Sequence, residues 1–287
     1  MANPDDLRYK HAVEAAAWPV RKKALLNLFF SIIPSADVIA CQEMDYFPFH
    51  EDLLPVLRDH GFDGMHQWDG TLKEGRPPHP WGCATLYRAD KFQVGFKETR
   101  SRGLVLGLYR LPRSSAETTP PIDYFVINVH LEANSNKVEQ QLKQLHGTIY
   151  KMSTHAEVNP ATARVLVCGD FNSRLEDQPM TWLLQGSLPG PDPPVNAHAF
   201  RFESALDAAG FAPVTYADPF CAERVDHLVS FLFPPSMPPS KKSGSMASKA
   251  DSPFVAHVGF HGRYTGCERR IPDPHARSWT LVFFRVS

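Results

Sequence analysis

The chain has almost no net charge: 30 Lys and Arg stand against 31 Asp and Glu, leaving −1. So balanced a molecule exerts no general pull on nucleic acid, and any phosphate site must be local. Cysteines are few and scattered, five in all. Cys41, Cys83 and Cys168 fall inside apolar, strand-like runs. That predicts buried, reduced thiols and a cytoplasmic or nuclear setting, not a disulfide framework. No second Cys pair accompanies His257, His261 and Cys267, so a structural zinc site is not expected. Long apolar runs are missing too. The most apolar stretch, Ala24 to Ile33, contains Asn27 and Ser31 and is too short to span a bilayer. Met1 to Lys10 carries Asp5, Asp6, Arg8 and Lys10 without an apolar core, unlike a secretory leader. Neither membrane association nor secretion is expected. There is also no serine nucleophile elbow, no phosphate-cradling Gly-Lys-Ser/Thr loop and no Gly-x-Gly-x-x-Gly fingerprint. Covalent hydrolases, nucleotide triphosphatases of that type and dinucleotide enzymes lose weight accordingly.

What is present centres on Val165 to Ser173. Val165, Leu166, Val167 and Cys168 are apolar and β-prone, so they predict a buried strand. Gly169 then lets the backbone turn. Asp170 and Asn172 follow with one residue between them, and in an extended segment they point the same way. The plain alternative is a strand followed by an ordinary polar turn.

From the N-terminus, Pro19 suits the first turn of a helix. Ala24, Leu25, Leu28, Phe29 and Ile32 share one face of that helix, and Pro34 ends it. Asp37 to Glu43 predicts a short strand closing on an acid, and Phe49 to Arg58 a short helix weakened by Pro55. Gly61 to Pro80 lacks periodicity and predicts a long loop of the kind that often carries binding. Strands are expected over Gly82–Arg88, Phe92–Phe96, Leu104–Leu111 and Asp123–His130, with a hairpin loop from Pro112 to Pro121. Asn136 and Glu139 have capping-box spacing ahead of the apolar stripe Val138, Leu142, Leu145, Ile149 and Met152. Strand, helix, strand then makes a crossover unit. Asp177 is positioned to cap a further helix, and Phe202–Ala209 reads as a short helix closed by Gly210. Arg224–Phe231, Phe254–Phe260 and Trp279–Val286 predict the last strands. Pro234–Ser252 reads as a flexible insertion. With no repeat and no second core visible, a single domain over 1–287 is expected.

Glu43, His130, Asp170, Asn172 and Asp226 all lie at or beside strand ends, and in a layered α/β domain they can converge at one sheet edge. A carboxylate such as Glu43 suits a hard divalent ion, and Mg²⁺ typically takes one or two protein carboxylates plus water and substrate phosphate. The ion would act as a Lewis acid. Asp170 can orient or deprotonate a water, Asn172 can donate to a phosphoryl oxygen, and His130 can hydrogen-bond a developing pentavalent phosphorus. Taken singly, each has a bland reading: a solvated loop carboxylate, a structural histidine, a turn.

Cys41-Gln42-Glu43, Gly82 to Arg88, Val129-His130-Leu131, Gly169 to Ser173 and Val225 to Leu228 occur in the order and rough spacing of one superfamily. The chain resembles the endonuclease/exonuclease/phosphatase superfamily, which has the deoxyribonuclease I-like fold. Ala17-Trp18, Arg21-Lys22 and Glu43 to Phe47 look most like its carbon-catabolite-repressor deadenylase and nocturnin branch. The resemblance covers roughly residues 15 to 286. It implies a four-layer α/β sandwich: two packed mixed sheets flanked by helices. It also implies Glu43 as the ligand of Mg²⁺, or of Mn²⁺ in its place. Asp170 and Asn172 would handle water and phosphate, and His130 would contact the scissile phosphate. Asp226 would orient a second histidine. The expected substrate is RNA or a related nucleotide.

Two departures stand out. Met1 to Ala17 has no strand ending in the family's metal-holding asparagine, so the chain is expected to start one strand late. The family's final Ser-Asp-His is also absent: Trp279 and Thr280 follow Ser278, while Asp273 and His275 lie just upstream. His275 is therefore expected to stand in for the second histidine. Two readings stay open: a metal-dependent phosphodiesterase acting at RNA 3′ ends, or a truncated or inactive relative that binds without cutting. Phosphoinositide, sphingomyelin and abasic-DNA cleavage complete the superfamily's range.

Overall fold

The computed structural model describes residues 17–69, 81–111, 122–154, 158, 163–200, 202–204, 216–217, 222–223, 226–231, 255–260 and 279–284. Helix α1 (Trp18–Ile32) opens with Pro19 in its first turn and buries Leu25, Phe29 and Ile32. A 3₁₀ turn at Ile33–Ser35, containing Pro34, ends it. Strand β1 (Val38–Asp45) follows, then a π-helical turn (Pro48–Leu53) that runs into α2 (Leu54–Arg58). Pro55 has no N–H to donate, and the helix changes its winding at that point. Trp18 and Lys22 both bond Asp52, which ties α1 to this segment.

Next come β2 (Phe62–His66), β3 (Trp81–Arg88), β4 (Phe92–Arg100), β5 (Gly103–Arg110) and β6 (Tyr124–His130). Helix α3 (Val138–Ser153), β7 (Val165–Asp170) and α4 (Gln178–Gln185) follow. The last strands are β8 (Phe202–Ser204), β9 (Tyr216–Ala217), β10 (Ala222–Glu223), β11 (Asp226–Phe231), β12 (Val255–Phe260) and β13 (Trp279–Phe284).

Two large sheets result. One has the order β12-β13-β1-β3-β2, and its pairs are antiparallel. The other has the order β4-β5-β6-β7-β11-β8 and is mixed, because β6 and β7 run parallel. Helix α3 is the expected crossover between those two strands. The strands are apolar on both faces because both faces are covered. In β1, Val38 and Ala40 join Leu104, Leu106, Val126 and Cys168 between the sheets. Ile39 and Cys41 face outward into the core made with α1 and α2. In β6, Val126 points inward while Phe125, Ile127 and Val129 pack with Leu142, Leu145 and Ile149 of α3. Helix, sheet, sheet, helix is the four-layer α/β sandwich that the resemblance implied. Burial pushes the thiols of Cys41 and Cys83 well up, and that of Cys168 up to about 12, so all three are unreactive core groups.

Local expectations differ in four places. Part of the expected 61–80 loop is strand β2, with Phe62, Gly64 and His66 buried in alternation against β3. Pairing with a neighbour overrides its weak strand propensity. Phe202–Ser204 is an edge strand on β11 and not the start of a helix, because Phe202 packs into the aromatic cluster of His198 and Phe200. The capping box does not form. Asn134, not Asn136, caps the turn at Ser135–Lys137, and Glu139 is drawn to Lys143 one helical turn on. Asp177 precedes α4, but its carboxylate accepts from the Arg174 N–H and makes no cap bond. The expected hairpin loop at 112–121 and the insertion at 234–252 lie outside the described residues. Among the described residues, no helix is long and apolar enough to cross a membrane.

Candidate active site

The mixed sheet brings three of the expected residues into one row. His130 is opposite Asp170 in the parallel ladder, and Asp170 is opposite Asp226 in the antiparallel one. Gly169 makes the row possible. It is opposite Val129 at φ +127, and a Cβ there would fall onto the Val129 carbonyl oxygen. It therefore serves close approach inside a strand, where a turn was expected.

Beyond Asp170 the backbone does not stay extended. Asn172 is left-handed at φ 47. Its N–H donates to Asp170 Oδ1 at 2.9 Å, and its Nδ2 donates to the Leu131 carbonyl at 3.0 Å. Asp170 and Asn172 are thus neighbours through a side-chain-to-backbone turn, not through strand pleating. Buried Gln141 of α3 donates to the carbonyls of both Glu132 and Asn172, joining the segments that follow β6 and β7.

Glu43 arrives from the other sheet by a different device. Cys41 pairs with Ala84 and Met44 with Gly82, so Gln42 and Glu43 together oppose Cys83. This β-bulge turns Glu43 to φ 53. A bulge strips ladder partners from nearby backbone groups, and buried side chains replace them. Asn128, completely buried in β6, donates to the Cys41 and Ala84 carbonyls at 3.1 and 3.0 Å and accepts from Gln42 Nε2 at 2.6 Å. The Cys83 N–H donates to Gln67 Oε1 at 3.0 Å. His66 Nε2 donates to the Met44 carbonyl at 2.9 Å, while its Nδ1 accepts from the Trp68 N–H at 3.2 Å. These two bonds fix a neutral tautomer, and burial pulls the His66 pKa down to about 4.

The two devices meet at His130. Its Nε2 lies 3.9 Å from Glu43 Oε1 and 3.7 Å from Asp170 Oδ2. Both separations exceed a direct hydrogen bond. Its Nδ1 is buried and has no hydrogen-bond partner among the described residues. Burial lowers the His130 pKa, which Asp170 opposes and Arg102 reinforces, so a neutral imidazole sits between two carboxylates. Such oxygen donors fit Mg²⁺, which needs only one or two protein carboxylates and completes its shell with water and phosphate. Among the described residues, no three His, Cys, Asp or Glu side chains form an all-protein metal cage. Asp226 is placed by its backbone register; His275 lies outside the described residues.

Sequence reasoning missed the surroundings. Trp81 stacks at a tilt on His130 with ring centroids 5.7 Å apart, and the Arg102 guanidinium lies 5.3 Å from the Trp81 ring. Arg102 Nη2 is 3.6 Å from Glu132 Oε2. Only Asn128 left a signal: an amide in the otherwise apolar run Phe125 to Val129, on the face between the sheets.

Two facing sheets, with carboxylates and a histidine converging at their ends, define a layered α/β sandwich with a polar site at the sheet ends. The chain belongs to the endonuclease/exonuclease/phosphatase family, whose model matches residues 11–231. Its sequence is 23% identical to the CCR4-Not complex 3′-5′-exoribonuclease subunit Ccr4 of Debaryomyces hansenii, over 86% of this chain and 34% of that protein. The chain thus spans about a third of the length of the curated relatives it matches. Its fold is similar to that of ANGEL2, a 2′,3′-cyclic phosphatase, in complex with adenosine-2′,3′-vanadate. The TM-score is 0.59 at 19% identity, covering 78% of this chain and 77% of that one. It is also similar to the human nocturnin catalytic domain with bound sulfate, with a TM-score of 0.52 at 18% identity, covering 76% and 77%.

Proposed function

We propose that this chain is a divalent-metal-dependent phosphodiesterase that shortens RNA from its 3′ end. The observation that carries the reading is His130 Nε2 at 3.9 Å from Glu43 and 3.7 Å from Asp170, where the two sheets meet. Likeness to an exoribonuclease subunit supports the choice of RNA. Glu43 would hold Mg²⁺, or Mn²⁺ in its place, and the ion would neutralise phosphate charge as a Lewis acid. Asp170 orients a water and takes its proton as the water oxygen bonds to phosphorus. The bond from phosphorus to the leaving oxygen breaks, and solvent protonates that oxygen. His130, neutral and carrying its proton on Nε2, donates to a phosphoryl oxygen as charge builds there. Asn172 spends one amide N–H on Leu131 and keeps the other for phosphate. Asp226, next in the row, would orient His275.

The test uses purified protein with Mg²⁺ or Mn²⁺ and a 5′-labelled RNA ending in oligoadenylate. NADP⁺, 2′–5′ oligoadenylate and abasic DNA are offered in parallel. Stepwise shortening that stops with a chelator is expected. Undiminished cutting in chelator, or no product from any substrate, overturns the reading; the second result leaves a binding protein that does not cut.

A further inference from the structure

Next to the site is a cavity that the chemistry above does not use. Its volume is about 540 Å³, and Arg100, Lys137, Glu139, Gln140, Lys143 and Gln144 line it. Among the described residues, three cations line it with one carboxylate, Glu139, and a second carboxylate, Glu132, lies against Lys137. Glu139 pairs with Lys143 at 2.5 Å, but both are exposed, and exposed pairs exchange partners at little cost. Arg100 is exposed too, and its guanidinium lies against Gly147. A Cβ at Gly147, inside α3, would come within 3.3 Å of its Nη2. A helix-interior glycine costs about 1 kcal/mol against alanine, and here the space it opens lets a guanidinium lie over the helix.

A chain of side-chain contacts links the cavity to the site. His130 packs at a tilt against Trp81, and the Arg102 guanidinium lies over Trp81. Arg102 meets the Glu132 carboxylate at 3.6 Å. Glu132 in turn touches three lining residues. Lys137 Nζ is 3.9 Å from Oε2, Gln140 Nε2 donates to the same oxygen at 3.3 Å, and the Glu132 N–H donates to Gln144 Oε1 at 3.0 Å. Among the described residues the lining is cations, amides and the Glu139 carboxylate, with no aromatic ring on which a base could stack. Such a surface suits phosphates and sugar hydroxyls and carries no base readout. With a net charge of −1 on the whole molecule, attraction for phosphate must come from a local surface such as this one.

We infer that this groove holds the sugar–phosphate backbone of a single-stranded polynucleotide as it leaves the reacting phosphate, independently of sequence. The substrate class is then a strand, not a mononucleotide. This inference rests on the proposed activity, and the test separates the two.

The variant is Arg100→Gln with Lys143→Gln; neither residue belongs to the reacting cluster. Binding of an oligonucleotide of about 20 nucleotides, RNA or DNA, is followed by anisotropy in chelator across a salt series. Turnover of that RNA and of a dinucleotide is followed with Mg²⁺. Binding is expected to weaken about tenfold, and the slope of log affinity against log salt to fall by about 1.4, at roughly 0.7 per lost contact. Turnover of the long RNA, as kcat/KM, should fall with it while the dinucleotide is unchanged. RNA and DNA should lose alike, because the contacts are to phosphate. Lys143→Gln alone, at an exposed position that cannot unfold the protein, should give about half the slope change. An unaltered slope in both variants, an equal loss on the dinucleotide, or no wild-type binding to either strand overturns the groove. If the wild type cuts nothing, the proposed activity fails, and the salt slope still decides the groove.

Discussion

The two sheets deliver their halves of the site by opposite means. His130 and Asp170 stand in regular register, one strand apart, and nothing special holds them beyond a well-packed ladder and the glycine that lets β6 and β7 come close. Glu43 stands on a bulge, in a left-handed conformation, held by Asn128, Gln42, Gln67 and His66. A ladder needs only its hydrophobic pattern to set its register. A bulge orphans backbone groups, and each needs a buried polar partner. The ladder half should therefore fail through shape and the bulge half through lost hydrogen bonds.

The largest break should come at Gly169. Gly169→Ala puts a methyl group onto the Val129 carbonyl and an L-residue at φ +127. A loss on the order of 4 kcal/mol is expected, since strain and overpacking act together. Urea unfolding measures it; a variant within about 1 kcal/mol of wild type would mean that the strands separate freely. On the bulge side, Asn128→Leu keeps the volume and removes the amide. The Cys41 and Ala84 carbonyls and Gln42 Nε2 lose their partner, and about 3 kcal/mol should go, at roughly 1 kcal/mol or more for each orphaned group. If Asn128→Leu is neutral, hydrogen bonding does not hold the bulge and the contrast between the halves collapses.

Asp170→Asn sharpens the comparison by touching chemistry without shape. The amide can still accept from the Asn172 N–H, so the turn survives. It cannot take a proton from water, and turnover with Mg²⁺ should fall at least ~100-fold, or about 2.7 kcal/mol of transition-state stabilisation. Initial rates on oligoadenylate RNA decide this. Unchanged rates would remove Asp170 from the reaction while leaving the row intact.

The same contrast explains what could be read beforehand. Tyr124–His130 and Val165–Asp170 are apolar runs ending abruptly in polar residues, because central strands are covered on both faces and the site begins where cover stops. The layered fold and the ladder half were legible for that reason. Glu43 was legible as a strand end, but its bulge was not, since Asn128 lies 86 residues from Gln42. Gly64 and His66 are poor strand formers taken alone, and only β3 beside them makes β2 a strand. Trp81 and Arg102 carry no spacing signal at all. They meet His130 by tertiary packing from the start of one strand and from a hairpin turn.

The smallest effect is expected at His66, and it asks whether acid loosens the bulge half first. His66 is the titratable member of the set that holds the bulge, and it is buried neutral with both nitrogens engaged. Its pKa is about 4 in the folded chain against an ordinary value of 6.5. Between those values the unfolded chain binds the extra proton, so stability rises with pH through that window. The contribution is complete above the unfolded pKa and is lost as pH falls towards the folded one. By about pH 5 the loss should reach about 2 kcal/mol, from a shift worth 1.36 kcal/mol per unit. His66→Phe fills the same space and cannot titrate. It starts less stable, because the Met44 carbonyl and the Trp68 N–H lose their partner, but it should lose about 2 kcal/mol less than wild type between about pH 7.5 and pH 5. Burial lowers the His130 pKa as well, so His130 leaves a residual slope below its ordinary value in both proteins. Urea titrations of the two proteins at the two pH values give the difference directly. Parallel losses would show that His66 does not anchor the bulge through its neutral form, and acid would then have no preferred half of the site to loosen.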